Sequence, residues 1–324
     1  MRKLIAAAVC LTLGVHESAN AETYPSRPIT LVVPFASGGG SDIIARIVAK
    51  AMQSKLGQPV IVENTGGAGG MSGTNRVVKA APDGYTFLFA QSGITASTTN
   101  NPRQMDLISS SLKPIGLVAS EPYLIIARND LPAKDLKELV QWLQQNQRSA
   151  SSSVAIGTHS HLASILFQEA TSTKFKLVLS RGEKQSIDDV VSGKNDVLLS
   201  SPIMSIRALR SGSVKAFAVT AKERIKLTPD ISTTDEAGLD NFYFSRWYAF
   251  WCPRGTPDDI VDRLNDAMVH ALDDSELTRQ FAAFGLQKFP AQQLTPGALV
   301  PYQKDDFYKW LPVLRALTGK MRRA

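Results

Sequence analysis

Cysteine is nearly absent from this chain of 324 residues, which has only Cys10 and Cys252. Cys10 falls in an N-terminal stretch read below as a leader, so Cys252 stands alone and no internal disulfide is expected. Beyond that stretch no run approaches the ~18 consecutive apolar residues of a membrane-spanning helix. Aromatic residues make up 7%, charged residues 20% and hydrophobic residues 44%. That balance is globular and argues against disordered or collagen-like chains. The formal net charge is +7, yet apart from Lys320-Met321-Arg322-Arg323 the cations form no block. A nucleic-acid partner is therefore not expected, and a mild bias toward small anions remains.

Several sequence signatures of chemistry are also missing. The loop Ser37-Gly38-Gly39-Gly40-Ser41-Asp42 is not followed by the Gly-Lys-Ser/Thr of a phosphate-binding loop. Gly66-Gly67-Ala68-Gly69-Gly70 starts a dinucleotide pattern, but Ser72 occupies its third glycine position, so no nucleotide cofactor is expected. Ser41 and Ser160 both lack the final glycine of a nucleophile elbow. Ser160, His161 and Asp196 remain as one serine-histidine-acid set that sequence alone leaves open, and a hydrolase is kept as an alternative on that account. His159 and His161 have only His270 as a further histidine after the leader, far along the chain, so no metal is expected.

What is present begins with a leader. Arg2 and Lys3 supply a positive end, Leu4 to Val15 an apolar run, and Ala19-Asn20-Ala21 a small-x-small site. Export with cleavage after Ala21 is the expectation. From Pro28 onward, short β-branched runs alternate with amphipathic stretches, the pattern of an α/β protein with crossover helices. Ile29 to Phe35 reads as a strand covered on both faces. The helix after it carries Ile43, Ile44, Ile47, Val48, Ala51, Met52 and Leu56 on one face and ends at Gly57. Further strands are predicted at Val60–Asn64, Tyr85–Ala90, Ile115–Ala119 and Tyr123–Ala127. The polar run Arg148 to Ser153 reads as a surface connection, after which the alternation restarts with strands at Val154–Ile156, Lys176–Leu179, Asp196–Leu199 and Lys215–Thr220. An aromatic strand, Trp247–Trp251, precedes a helix start with Thr256 as N-cap and Pro257 at its first position. Two β/α modules are thus expected, residues 124–236 forming one lobe and residues 22–123 with 237–324 the other.

Glycine-rich or polar loops at strand carboxyl ends, leading into helix N-termini, are where unpaired amides and the helix dipole receive anions. Ser37 to Ser41 is one such loop and Gly157-Thr158-His159-Ser160-His161 another; N-capping by Thr158 or Ser160 is the simpler reading of the second. At these residues the chain resembles the Bug-type extracytoplasmic solute receptors of tripartite tricarboxylate transporters. Further matching stretches are Tyr24-Pro25-Ser26-Arg27-Pro28-Ile29, Val33 to Asp42, Val62 to Gly70, Ala81-Pro82-Asp83-Gly84-Tyr85-Thr86, Ala218-Val219-Thr220, Glu236-Ala237-Gly238 and Thr256-Pro257.

The resemblance implies a two-lobed periplasmic binding protein, type II-like, with a hinge and one lobe discontinuous in sequence. It implies a small carboxylate or dicarboxylate held in the cleft, handover to membrane permease subunits, and no catalysis. Ligand contacts are then expected from Phe35, Ser37, Gly38, Gly39, Ser41, Asp42, Ala68, Thr158, Ser160, His161, Arg181 and Gly182. The chain departs from the family in one loop. Where the family has Val-Pro-Tyr-Lys-Gly and then Pro-Ala, it reads Val178-Leu179-Ser180-Arg181-Gly182 and then Gln185-Ser186. That exchanges a stiff, aromatic loop for one bearing an arginine, and it keeps a ligand sensor as a second alternative to transport.

Overall fold

A computed structural model describes residues 24–92, 110–154, 158–306 and 308. The leader, Gly157, the Ala155–Ile156 end of one predicted strand and the basic tail lie outside the described residues.

Two sheets organise the molecule. The first strand, β1 (Ile29–Val33), is buried except for Thr30 and pairs in parallel with β2 (Val60–Asn64) and β3 (Thr86–Gln91). Helix α1 (Gly40–Leu56) crosses between β1 and β2, buries Ile44, Val48, Ala49, Met52 and Leu56, and stops at Gly57, whose left-handed φ of 67° lets its amide reach Gln53 O. Helix α2 (Met71–Val78) follows β2. A Cβ on Gly73 of that helix would lie 2.7 Å from Pro34 Cα, so only glycine lets α2 approach the β1 end so closely. The long strand β4 (Leu112–Pro122) leads to β5 (Leu124–Arg128).

The chain passes from the first sheet to the second between β4 and β5. In that second sheet β6 (Ser151–Val154) pairs in parallel with β7 (Lys176–Leu179) and β8 (Val197–Ser200), while β5 runs antiparallel to β8 and β9 (Val214–Val219). Its strand order is β7-β6-β8-β5-β9. Helices α3 (Leu136–Gln145), α4 (His159–Thr171), α5 (Glu183–Val191) and α6 (Pro202–Arg210) connect the strands.

The chain then returns. Strand β10 (Ser245–Pro253) inserts antiparallel between β3 and β4, and helices α7 (Asp258–Asp273) and α8 (Ser275–Ala283) precede β11 (Gln287–Lys288) at the sheet edge. The first sheet therefore reads β11-β4-β10-β3-β1-β2. The C-terminal return does more than pack on the first module, because eight of the nine residues of β10 are buried at its centre. Helix α7 lies against α1 on one face of that sheet. The two crossings are knitted together where they meet: the Thr220 amide donates to Tyr123 O, the Tyr123 amide to Phe244 O and the Thr220 hydroxyl, and the Phe244 amide to Thr220 O.

Two local readings need correction. Ser151 to Ser153 are a buried strand and no surface connection: their backbone pairs with β7, the Ser153 hydroxyl donates to Asp189 and the Ser151 amide and hydroxyl donate to Asp196, while the Ser152 hydroxyl is buried without a partner. Thr256 does not cap α7; its hydroxyl turns back to Pro253 O, and Pro257 takes the N-cap position.

Candidate functional site

Both sheets bring the same edge to the crossing. The carboxyl ends of the parallel strands β1, β2 and β3 and of β6, β7 and β8 all lie there, and antiparallel β10 and β5 begin there. Ligands of open α/β sheets collect at such an edge.

On the first side, Pro34 to Gly39 leads into α1. Gly39, at the N-cap, is extended (φ −80°, ψ 167°) and has no side chain to cap with, and the first intrahelical bond is Ile43 N–H to Gly39 O. The amides of Gly40, Ser41 and Asp42 therefore precede the helical ladder. The Gly38 amide is already used: it donates to Asp42 Oδ2 at 2.8 Å, which Ser37 Oγ also approaches at 3.3 Å. Burial works to raise the Asp42 carboxyl, but the Gly38 amide, Arg46 and Asn64 outweigh it and hold its pKa below the usual value. Asn64 also donates to Phe35 O, tying this loop to the β2 end, and Gly66 lies against Phe35 and Ala36. Ala68, exposed and with φ 48°, forms part of the neighbouring glycine-rich turn. Phe35, Ser37, Gly38 and Gly39 thus lie in one loop, Ser41 and Asp42 in the first turn of the helix that it starts, and Ala68 in the adjoining turn.

On the second side, α4 starts at Thr158, whose hydroxyl meets Ser160 Oγ at 3.0 Å and makes no cap to the helix backbone. Its first turn presents the His159, Ser160 and His161 amides ahead of the Leu162 N–H to Thr158 O bond. His159 crosses to the other sheet, its Nε2 2.7 Å from Ser92 Oγ just beyond β3. Burial, with the Arg246 charge as a second cause, pushes the His159 pKa down to about 3, so the ring is neutral. Burial also lowers His161.

The departing loop is held without proline. Ser180 Oγ meets Ser186 Oγ at 2.8 Å and the Arg181 amide donates to Gln185 Oε1 at 3.0 Å, so Gln185 and Ser186 fasten the loop to α5. The Arg181 side chain is exposed, beside Gly182 at the α5 N-cap. The Ser160, His161 and Asp196 set does not assemble. Asp196 stands at the opposite end of the sheet, paired with Arg128 at 2.9 Å and accepting from the Ser151 amide. Among the described residues no three His, Cys, Asp or Glu side chains gather as a metal site.

Sequence reasoning passed over the most buried charges of the edge. Arg246 opens β10 directly opposite Glu121 of β4, with 7% and 0% of their side chains exposed. Arg246 Nε donates to Glu121 Oε2 at 2.6 Å, and Nη1 to Gln91 Oε1 at 3.2 Å, with Glu183 Oε2 3.6 Å away. Glu121 also accepts from the Tyr248 hydroxyl at 2.7 Å and from Ser201 Oγ. Glu183, the first residue of α5, accepts from the Ser201 amide at 2.7 Å, which closes the start of α6. Burial raises the Glu183 pKa, with Arg246 opposing and Glu121 adding to the rise. Of the Arg246 nitrogens, Nη2 is buried without a hydrogen-bond partner; Asp42 Oδ1, also buried and without a hydrogen bond, is paired with Arg46 at 2.9 Å. The readable signal was an acid near the end of one largely apolar strand, Leu112–Pro122, and an arginine near the start of another, Ser245–Pro253.

With this geometry in place, similarity to known proteins is informative. The model of the tripartite tricarboxylate transporter family receptor matches residues 44–317. BugT of Bordetella pertussis is 30% identical over 314 residues, covering 96% of this chain and 95% of its own. The structure of MatC from Rhodopseudomonas palustris with bound malate is 32% identical, with a TM-score of 0.78 over 90% of this chain and all of that one. An R. palustris protein solved with adipate is 27% identical, with a TM-score of 0.81 over 90% of this chain and 97% of that one.

Proposed function

The chain belongs to the tripartite tricarboxylate transporter receptor family, and on that premise we propose that it captures a small carboxylate or dicarboxylate between its two sheets. It delivers the solute unchanged to membrane permease subunits from the periplasm, where it arrives after cleavage at Ala21. The carrying observation is that α1 and α4 begin at the facing carboxyl edges of two sheets, each with three amides ahead of its helical ladder. Such ends favour anions by about 0.3–1 kcal/mol each through the dipole, and up to about 2 kcal/mol when partly buried. The Gly40–Asp42 amides with the Ser41 hydroxyl receive one carboxylate, and the His159–His161 amides with the Thr158 and Ser160 hydroxyls receive the other. Malate and adipate in the similar structures support this class of solute.

The lobes are residues 22–123 with 237–324, and 124–236, and they close about the Tyr123–Thr220–Phe244 crossing. A thermal-shift screen of the mature protein against carboxylates tests the reading, since a solute at 100 times its Kd adds about 2.7 kcal/mol. Mass spectrometry of the released solute then shows whether it left intact. Stabilisation by none of the carboxylates, or a chemically altered solute, would overturn the reading.

A further inference from the structure

Within that cleft one donor stands out. Arg246 is held on two sides by carboxylates, yet its Nη2 has no acceptor and no exposure to solvent. The position of Nη2 is marked by a glycine. A Cβ on Gly40, the first residue of α1, would lie 3.5 Å from Nη2 and 3.2 Å from Ile203 Cγ2 of α6. The orphan guanidinium nitrogen therefore faces the start of α1, where the Gly40, Ser41 and Asp42 amides precede the ladder, and an apolar residue of the other lobe covers the niche. A buried N–H without an acceptor is a cost that folded proteins rarely tolerate. With Ile203 in place even a Cβ at Gly40 would be crowded, so room for a solute here needs both the glycine and withdrawal of α6.

We infer that Arg246 is the cleft's cationic anchor, its Nη2 and the α1 amides together receiving one carboxylate group of the solute. This rests on the reading of the cleft as a carboxylate site. Glu121 and Glu183 stay in place: they hold the guanidinium in one orientation and offset its charge, so that the ligand meets a fixed donor with its Nε and Nη1 already engaged. Ile203 is on α6, so admission of the solute requires the lobes to part at this point. The class of solute is sharpened accordingly. One end must be an ionised carboxylate, because a carboxamide would set its own N–H groups against those of Arg246 and the helix.

Calorimetric titration of wild type, Arg246→Lys and Gly40→Ala with carboxylates from acetate to adipate, malate included, tests this, with circular dichroism of each variant. Arg246→Lys keeps the cation but loses the fork, and a loss of at least a hundredfold in affinity is expected. Gly40→Ala retains Arg246 with both acidic partners, adds a methyl in the niche, and is expected to lose as much while remaining folded. It therefore reports on the niche even where Arg246→Lys fails to fold. Arginine-selective 15N spectra of the wild type add a readout free of substitution, in which one buried guanidinium signal should move and saturate with the calorimetric curve. Wild-type affinity in both folded variants, or guanidinium signals that stay still while a carboxylate binds, overturns the inference and leaves the carboxylate reading standing. A wild type that binds none of the carboxylates overturns that reading, and the inference with it.

Discussion

Helices α1 and α6 both begin beside Arg246, yet their N-termini are treated in opposite ways. At α6 the Ser201 amide is taken by Glu183 and the Ser201 hydroxyl by Glu121, so two carboxylates of the chain itself occupy that helix end. At α1 the Asp42 carboxylate is taken up by Gly38, Ser37 and Arg46, and Gly40, the first residue of the helix, lies beside an arginine nitrogen that lacks an acceptor. A helix N-terminus is an anion site in principle; what decides its use is whether the protein has already supplied the anion. In this edge the chain's own acids take up the α6 end, and the α1 end is left to the proposed solute.

The harshest way to break the comparison is to remove the internal acid. Glu121→Ala withdraws the acceptor of Arg246 Nε, the Tyr248 hydroxyl and Ser201 Oγ together, leaving a buried arginine short of its main partner. We expect a loss of about 3–5 kcal/mol in unfolding free energy, read by urea denaturation. An unchanged midpoint would mean that the closed end of α6 is not closed by Glu121.

The complementary change fills the open end. Gly39 has an extended backbone and an added Cβ would meet only Ala36 O at 3.4 Å, so Gly39→Val fits locally. The added branches stand at the N-cap, one residue before the α1 amides. Carboxylate affinity should fall at least a hundredfold, about 2.7 kcal/mol, with little change in melting temperature. Retained affinity in titration calorimetry would place the solute elsewhere.

A third test concerns α4, whose His159 ties the two sides through Ser92. Because burial holds this histidine near a pKa of about 3, the folded protein stays unprotonated where the unfolded chain, near 6.5, takes up a proton. Stability from this source is complete above pH ~6.5 and declines by about 1.4 kcal/mol per unit as the pH falls toward the folded value. His159→Gln should flatten the dependence of the urea midpoint between pH 6.5 and 5, a span worth about 2 kcal/mol. A variant as acid-sensitive as wild type would assign the slope to the carboxylates.

How much of this was legible in the sequence divides along physical lines. The β/α alternation, the α1 face from Ile44 to Leu56 and the Gly57 stop follow from local periodicity and cap chemistry, and the structure carries them. Ser151 to Ser153 misled because serine looks like a loop residue until its hydroxyls are paired with Asp189 and Asp196 from remote segments. The insertion of β10 between β3 and β4 is set by tertiary pairing, which no local pattern encodes. For the same reason the arginine that drew notice was Arg181, in the loop between β7 and α5. Arg246 became visible only when register placed it across from Glu121, 125 residues earlier.

The smallest expected effect separates the two arginines and sharpens the comparison most finely. Arg181 is exposed, and the loop is fastened by its backbone amide to Gln185, independent of the guanidinium. An exposed charge at 4 Å from a carboxylate is worth about 1 kcal/mol in water before salt screens it. Arg181→Ala should therefore change carboxylate affinity by no more than about twofold at physiological ionic strength. Ser41 differs, being 6% exposed in the first turn of α1 among the open amides. Ser41→Ala removes a buried hydroxyl donor to a charged group, and about 1–2 kcal/mol of affinity should go with it. The order Ser41→Ala worse than Arg181→Ala, measured by titration in 150 mM salt, follows if fixed helix-end donors hold the solute. The reverse order would shift recognition to the α5 loop, and the open end of α1 would then be open for some other reason.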